Sequence, residues 1–223
     1  MPLPILYSFR RCPYAIRARL GLILGQCNVE IREITLKAKP AEMLAISAKG
    51  TVPVLQLPNG QVISESLEIM SWAISLGNST SATMLLGQTS AEQRLISELI
   101  IQNDIEFKPW LDKYKYADRY PEHSQADYFA NASLFLARLE TCLHLHPYLI
   151  SHQLTIADYA IMPFIRQFHA VDTKRDLNTD YPRLTAWLTE LTSSEVFQHA
   201  MEKYVIWNAG NSPICLLGTS ISK

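Results

Sequence analysis

The sequence is short of charge, of glycine and of paired cysteines, and each shortage removes a class of protein. Asp, Glu, Lys and Arg make up only 18% of its 223 residues, whereas a disordered chain stays open through high net charge and low hydropathy. Eight glycines and 12 prolines are too few for a collagen-like repeat or a Gly/Pro-rich low-complexity segment. Twenty basic residues against 21 acidic ones leave a net charge of -1. No single-sign field results, so nucleic acid is excluded as the main partner. No apolar run approaches the ~18 residues of a spanning helix. The opening Met1-Pro2-Leu3-Pro4-Ile5-Leu6 has neither a basic n-region nor a small-residue cleavage site, and Arg10 and Arg11 interrupt its apolar run. Cys12, Cys27, Cys142 and Cys215 are scattered without a CxxC pair, which argues against a disulfide framework or a zinc site. The reading is a cytoplasmic protein with reduced thiols and no membrane partner. Its 48% hydrophobic content can fill a sizeable core, and its length suits two compact units.

The first 76 residues change character quickly. A short apolar run, Leu3 to Tyr7, precedes a helical pattern from Pro13 to Leu24, and Val29-Glu30-Ile31-Arg32 then alternates as a strand does. A short helical stretch, Ala41 to Ile46, leads to two apolar runs joined by Pro58-Asn59-Gly60, which is hairpin punctuation. A helix from about Ser66 to Leu76 follows. The order βαβ, helix, ββα implies a small mixed sheet whose first two strands are parallel through a right-handed crossover. Gly77 to Thr83 is small and polar and reads as linker. Strand signals then stop. Ser90-Ala91-Glu92-Gln93 has the capping-box pattern that opens a long helix, Pro109 predicts a kink in it, and further helices are expected near 124–143, 155–170, 182–191 and 194–203. Residues 1–75 carry 8 basic and 5 acidic groups, and residues 76–223 carry 12 and 16. The smaller unit therefore weakly favours an anionic ligand.

The most informative stretch is Ser8-Phe9-Arg10-Arg11-Cys12-Pro13-Tyr14-Ala15-Ile16-Arg17-Ala18-Arg19. Pro13 suits the first helical position, which places Cys12 at the N-cap. Unpaired backbone N-H groups, the positive end of the helix dipole and Arg10, Arg11, Arg17 and Arg19 would favour the thiolate, which is the nucleophile. A buried inert cysteine is the bland alternative. Ala15 stands where a CxxC would place its second thiol, so a disulfide cycle at Cys12 must borrow a thiol from a small molecule such as glutathione.

These residues resemble the cytosolic glutathione transferases, and within them the cysteine-type members of the omega, dehydroascorbate reductase and glutaredoxin-like kinds. The carriers are Cys12-Pro13-Tyr14-Ala15 with Arg17 and Arg19, then Gly50-Thr51-Val52-Pro53-Val54-Leu55, then Glu65-Ser66, and Leu154-Thr155-Ile156-Ala157-Asp158-Tyr159. The resemblance implies a thioredoxin-like α/β domain over residues 1–76, a linker over 77–88 and an all-α domain over 89–223. It also implies glutathione as a substrate bound between the two domains, and no metal or nucleotide cofactor. A proline opening the third strand can hold a cis bond, and the family implies a cis Val52-Pro53 whose Val52 backbone pairs with the glutathione peptide. Phe9 is assigned to the same binding site. The family would use Glu65 for the γ-glutamyl ammonium, and the Ser66 hydroxyl and backbone for its carboxylate. Ser66 can also simply cap the next helix. Lys39 corresponds to the lysine that meets the glycine carboxylate, with Lys37 as its competitor. Thr155 to Asp158 resembles the family's N-capping box, a folding element with a buried Asp.

Other groups compete for the chemistry. Tyr7 and Ser8 lie where hydroxyl-type transferases place the group that activates glutathione for conjugation. Aligning Arg17-Ala18-Arg19 with the Arg-x-Arg of the serine type instead brings Cys12 to the active position. The expected function is reduction or deglutathionylation through a Cys12-glutathione mixed disulfide, acting on a small-molecule or glutathionylated thiol substrate or on dehydroascorbate. Conjugation of electrophiles and a non-catalytic interaction module are the alternatives. Tyr114, Tyr116 and Arg166 are the candidates for the second-substrate pocket, chosen from a set that includes Trp110, Phe164 and Trp207. Cys142 with His144, His146 and His152 lacks metal-ligand spacing. The sequence leaves monomer and homodimer both open, and it assigns no role to the tail Asn208 to Lys223.

Overall fold

The computed structural model describes residues 2–77 and 84–218, so residues 78–83 of the expected 77–88 linker lie outside the described residues. Contacts divide the chain into two units: residues 1–83 together with 194–223, and residues 84–193.

The first unit is the expected thioredoxin-like domain, with an addition. Strands β1 (Ile5–Ser8), β2 (Val29–Glu33), β3 (Val54–Gln56) and β4 (Val62–Ile63) are interleaved with helices α1 (Pro13–Leu24), α2 (Ala41–Ile46) and α3 (Ser66–Leu76). β1 runs parallel to β2, with Ser8 opposite Glu33, and antiparallel to β3, which pairs antiparallel with β4. The Asn59-Gly60 turn forms as its residues demand: Gly60 takes φ 87°, and the Gln61 N-H donates to Asn59 Oδ1 at 3.0 Å. α1 is buried almost all round and packs directly on α3. A Cβ added at Gly21 would lie 2.4 Å from the Met70 Cα, a backbone atom that cannot swing away. Gly21→Ala is therefore expected to cost about 3 kcal/mol, read as a lowered urea midpoint with unchanged m.

The 89–223 boundary needs correction. Helix α10 (Glu195–Ala200) and strand β5 (Cys215–Leu216) belong to the first unit. β5 pairs antiparallel with β2, giving a five-stranded sheet in the order β4-β3-β1-β2-β5. Leu216 is fully buried and the Gly218 N-H donates to Asn28 Oδ1 at 2.9 Å, so this segment covers what would otherwise be an open edge. Two residues are too short a strand to leave a periodic signal.

The second unit is helical: α4 (Ser90–Gln102), a π-helical turn (Asn103–Phe107), α5 (Lys108–Lys115), α6 (Gln125–Leu145), α7 (Ile156–His169), a single turn α8 (Leu177–Asp180) and α9 (Pro182–Ser193). The capping box sits one residue earlier than Ser90 suggested. Thr89 is the N-cap, and Glu92 Oε2 accepts the N-H groups of Gln88 and Thr89 at 2.6 and 3.2 Å. Both placements satisfy the motif, and Thr89 prevails because Glu92 then satisfies two donors that would otherwise be orphaned. At Pro109 the chain makes a π turn, in which the Lys108 N-H reaches Asn103 O. A widened turn absorbs the missing proline donor. Pro163 lies buried inside α7, which continues through it.

The buried Asp158 organises this unit. Its Oδ1 accepts from the Leu149 N-H and from Trp187 Nε1, both at 3.0 Å, and its Oδ2 accepts from the Thr155 N-H at 2.8 Å and hydroxyl at 3.0 Å. Burial pushes the carboxyl up from its ordinary value, and the donors oppose that. The aromatic core gathers Phe107, Phe135, Tyr114, Phe129 and Phe168, with adjacent ring centroids 5.1 to 5.8 Å apart. Among the described residues no helix is long and apolar enough to cross a membrane.

Candidate active site

β1 ends at Ser8, and the chain turns through Phe9-Arg10-Arg11 to reach Cys12, whose N-H closes the turn on Phe9 O at 2.9 Å. Cys12 is the N-cap of α1 in extended conformation (φ -79°, ψ 124°), with Pro13 in the first turn, and its carbonyl accepts the first helical bond from the Ile16 N-H at 2.9 Å. The sequence dictates this: proline needs no partner at that position, and an extended residue must precede it. Cys12 is half-buried, and its Sγ lies 3.9 Å from Val52 O. Val52-Pro53 is cis, as expected. Gly50, with φ 56°, turns the chain into this segment. None of the four cysteines, all among the described residues, is joined in a disulfide.

The competing hydroxyls are not available in the same way. Tyr7 is 1% exposed, its hydroxyl accepts from Arg32 at 2.7 Å, and burial pushes its pKa up. Ser8 is 0% exposed, and its Oγ accepts from Arg19 Nε at 2.8 Å. Arg19 itself forms a buried ion pair with Glu33 and donates to Ala200 O at 3.1 Å. Its charge is thus compensated, which corrects the view that all four arginines act on the thiol. Arg11 lies over the Phe9 ring at 5.3 Å and Arg17 over Tyr14 at 5.7 Å.

Glu65 and Ser66 open α3, but with their roles exchanged relative to a plain cap. Glu65 holds the N-cap position without a side-chain cap bond, and Ser66 is the first helical residue, 4% exposed. The Glu65 carboxylate forms an exposed ion pair with Lys49. Of the competing lysines, Lys39 lies beside Gly50: its Nζ is 3.8 Å from where a Gly50 Cβ would stand. Lys37 sits at the tip of a turn closed by the Thr35–Ala38 bridge.

The second-substrate candidates separate. Tyr114 is 4% exposed, packed against Phe129 and Phe168 with Arg175 at its hydroxyl. It is a core residue of the helical unit and not a pocket wall, because apolar spacing on a helix cannot tell these apart. Phe164 is fully buried as well. Tyr116 is half-buried with Lys115 and Arg119 over its ring, and Arg166 is half-buried on α7. Trp207 belongs to the first unit, where it lines a cavity of about 200 Å³ with Thr35, Pro40 and Glu42.

Glu33 and Lys49 went unmarked in the sequence. Glu33 did leave a signal: in β2 the inward positions are 29, 31 and 33, and a carboxylate at a buried position requires a cation or several donors. Lys49 left none.

Residues 6–80 match the family described as glutathione S-transferase, N-terminal domain, and residues 122–190 match glutathione S-transferase, C-terminal domain. The chain belongs to the glutathione transferase family. A curated relative, glutathione S-transferase L3 of Arabidopsis thaliana, is 27% identical over 199 residues, covering 85% of this chain and 78% of its own. Solved glutathione transferase structures share the fold. One from Pseudomonas fluorescens, with two glutathione bound, aligns with TM-score 0.75 at 18% identity over 90% of this chain and 92% of its own. Another, from Methylobacillus flagellatus with GSH bound, aligns with TM-score 0.76 at 17% identity over 88% and 98%.

Proposed function

We propose that this glutathione transferase is a cysteine-type thiol transferase, with Cys12 as nucleophile and glutathione as both ligand and reductant. One observation carries the reading. The two hydroxyls that could activate glutathione for conjugation are buried and engaged by Arg32 and Arg19, whereas the half-buried Cys12 sulfur meets the backbone of Val52 at the start of a helix.

The Cys12 thiolate attacks the glutathione sulfur of a glutathionylated substrate. The substrate S-S bond breaks, the substrate sulfur leaves and takes a proton, and Cys12 is left as a mixed disulfide with glutathione. A second glutathione thiolate attacks that disulfide, releasing oxidised glutathione and the Cys12 thiolate. In the net reaction one free glutathione is consumed: of the two sulfurs in the released oxidised glutathione, one comes from the substrate's glutathionyl group and one from the resolving glutathione, which is the reductant. Bound glutathione would pair its peptide with Val52 and pack on Phe9. Its γ-glutamyl carboxylate would meet the Ser66 hydroxyl and the N-H groups that open α3, and Lys39 would take its glycine carboxylate. Its ammonium would displace Lys49 from Glu65, an exposed pair that is cheaply broken.

Glu65→Gln is expected to raise KM for glutathione about tenfold while kcat stays within about twofold, because the lost contact is the same in ground and transition states. Steady-state kinetics with glutathione as the varied substrate checks this. The reading itself is tested by mixed-disulfide reduction, aromatic-halide conjugation and intact mass after incubation with oxidised glutathione. Reduction together with a Cys12 adduct supports it. Conjugation without reduction, or failure to bind glutathione, overturns it.

A further inference from the structure

We propose that Glu33 is a positioning residue for Cys12, holding the nucleophile's loop through the Arg10 N-H and tying that loop to the C-terminal segment; this rests on the thiol transferase reading.

Glu33 is a branch point. Its Oε1 accepts the Arg10 N-H at 2.7 Å, and its Oε2 pairs with the buried Arg19. Its own carbonyl accepts the Trp207 N-H at 2.8 Å, and Ile206 forms a β-bridge with it. Arg19 reaches onward to Ser8 Oγ and Ala200 O, and lies 5.6 Å from the Tyr204 ring. Glu33 is 6% exposed and Arg19 0%, so water does not loosen these bonds, and charged acceptors make the stronger ones. Arg10 is the second residue of the turn that Cys12 closes on Phe9. A carboxylate pinning that corner fixes where Cys12 enters α1. The gain for the thiolate depends on that placement, because the field of the helix start falls off within its first turn. The C-terminal segment at Ile206 and Trp207, just before the tail Asn208 to Lys223, thereby has a role: it anchors the backbone of the residue that anchors the loop.

The bond can be deleted without touching the ion pair. Proline is favoured at the second position of such a turn and has no N-H. Arg10→Pro therefore removes the donor, and Arg10→Ala removes the same side chain but keeps the donor. The readout is the rate of Cys12 alkylation by iodoacetamide as a function of pH, in Cys27→Ser/Cys142→Ser/Cys215→Ser backgrounds, with glutathione absent. Arg10→Pro is expected to react about tenfold more slowly than Arg10→Ala near neutral pH, with its pH midpoint displaced upward. Equal rates and midpoints in the two variants would overturn the proposal.

Glu33→Gln supplies the second arm, since its amide oxygen can still accept the Arg10 N-H. Retained reactivity, or a midpoint moved downward by loss of the nearby negative charge, supports positioning. Glu33→Ala with the same downward movement would reduce Glu33 to a local charge and overturn the proposal. Should Arg10→Pro fail to fold, the contrast between Glu33→Gln and Glu33→Ala decides alone. Because alkylation needs no glutathione, a failure here is distinct from a failure of the thiol transferase reading, which the reduction assay reports.

Discussion

Cys12→Ser is expected to lower glutathione-dependent reduction of a mixed disulfide by on the order of 10³-fold or more, without measurably changing thermal stability. The size follows from the chemistry: serine hydroxyl is almost wholly protonated at neutral pH, and it forms no mixed disulfide with glutathione, so the covalent route closes. Stability should hold because Cys12 is only half-buried and its sulfur makes a long contact, 3.9 Å, to Val52 O. Its backbone does the structural work: the turn to Phe9 and the first bond of α1 survive any side-chain change. The second diagnostic is mass. Wild type incubated with oxidised glutathione should gain one glutathionyl group on the peptide containing Cys12, and the serine variant should not. A serine variant that retains reduction would transfer the chemistry elsewhere in the chain. A gain in halide conjugation by that variant would reveal a hydroxyl at this helix start taking over the role that the buried Tyr7 and Ser8 cannot fill.

Asp158→Ala is expected to cost about 3–5 kcal/mol of folding free energy, lowering Tm by roughly 10 °C. The carboxylate is wholly buried and serves three residues: the Thr155 N-H and hydroxyl at the start of α7, the Leu149 N-H in the preceding loop and the Trp187 indole N-H on α9. Alanine leaves those donors buried without acceptors, and that loss exceeds the value of the bonds themselves. Asp158→Asn should be nearly as damaging, because an amide offers one oxygen where the aspartate uses two, and its NH2 would then face the Thr155 N-H. Circular dichroism melts of wild type and both variants check this. An asparagine variant as stable as wild type would mean that the site needs shape and not charge.

Much of the first unit was legible because its signals are local. Pro13 at the start of α1, the Asn59-Gly60 turn and the alternation of β2 each act within a few residues, so propensity and structure agree there. The helical unit was legible in outline from its apolar periodicity, and its errors are of one kind. The box at Thr89 rather than Ser90 and the π turn before Pro109 both depend on which backbone donors are left to satisfy, which periodicity does not record. Around Cys12, its N-cap position was readable from its order between a strand and a helix, and the cis Val52-Pro53 bond was implied by the family resemblance. Glu33 was readable only as a charged residue at a buried position, and Lys49, an exposed side chain sixteen positions from its partner Glu65, was not readable at all. Tyr114 was misread as pocket because a ring on a helix looks the same from sequence whether it faces a cavity or Phe168.

The sequence by itself determined the two-part architecture, the family and the seat of Cys12 at the start of α1, since these rest on residue types whose backbone preferences act in place. Tertiary structure decided what depends on distant partners. It assigned the last twenty-five described residues, from Ser194 to Gly218, to the first unit, because β5 gains its hydrogen bonds only from β2. It neutralised Arg19 with Glu33 and withdrew the hydroxyls of Tyr7 and Ser8 into the interior. A hydrogen bond or ion pair between residues far apart in the chain has no counterpart in local pattern, and it is those bonds that engage the hydroxyls of Tyr7 and Ser8 while Cys12 stays half-buried at the start of α1.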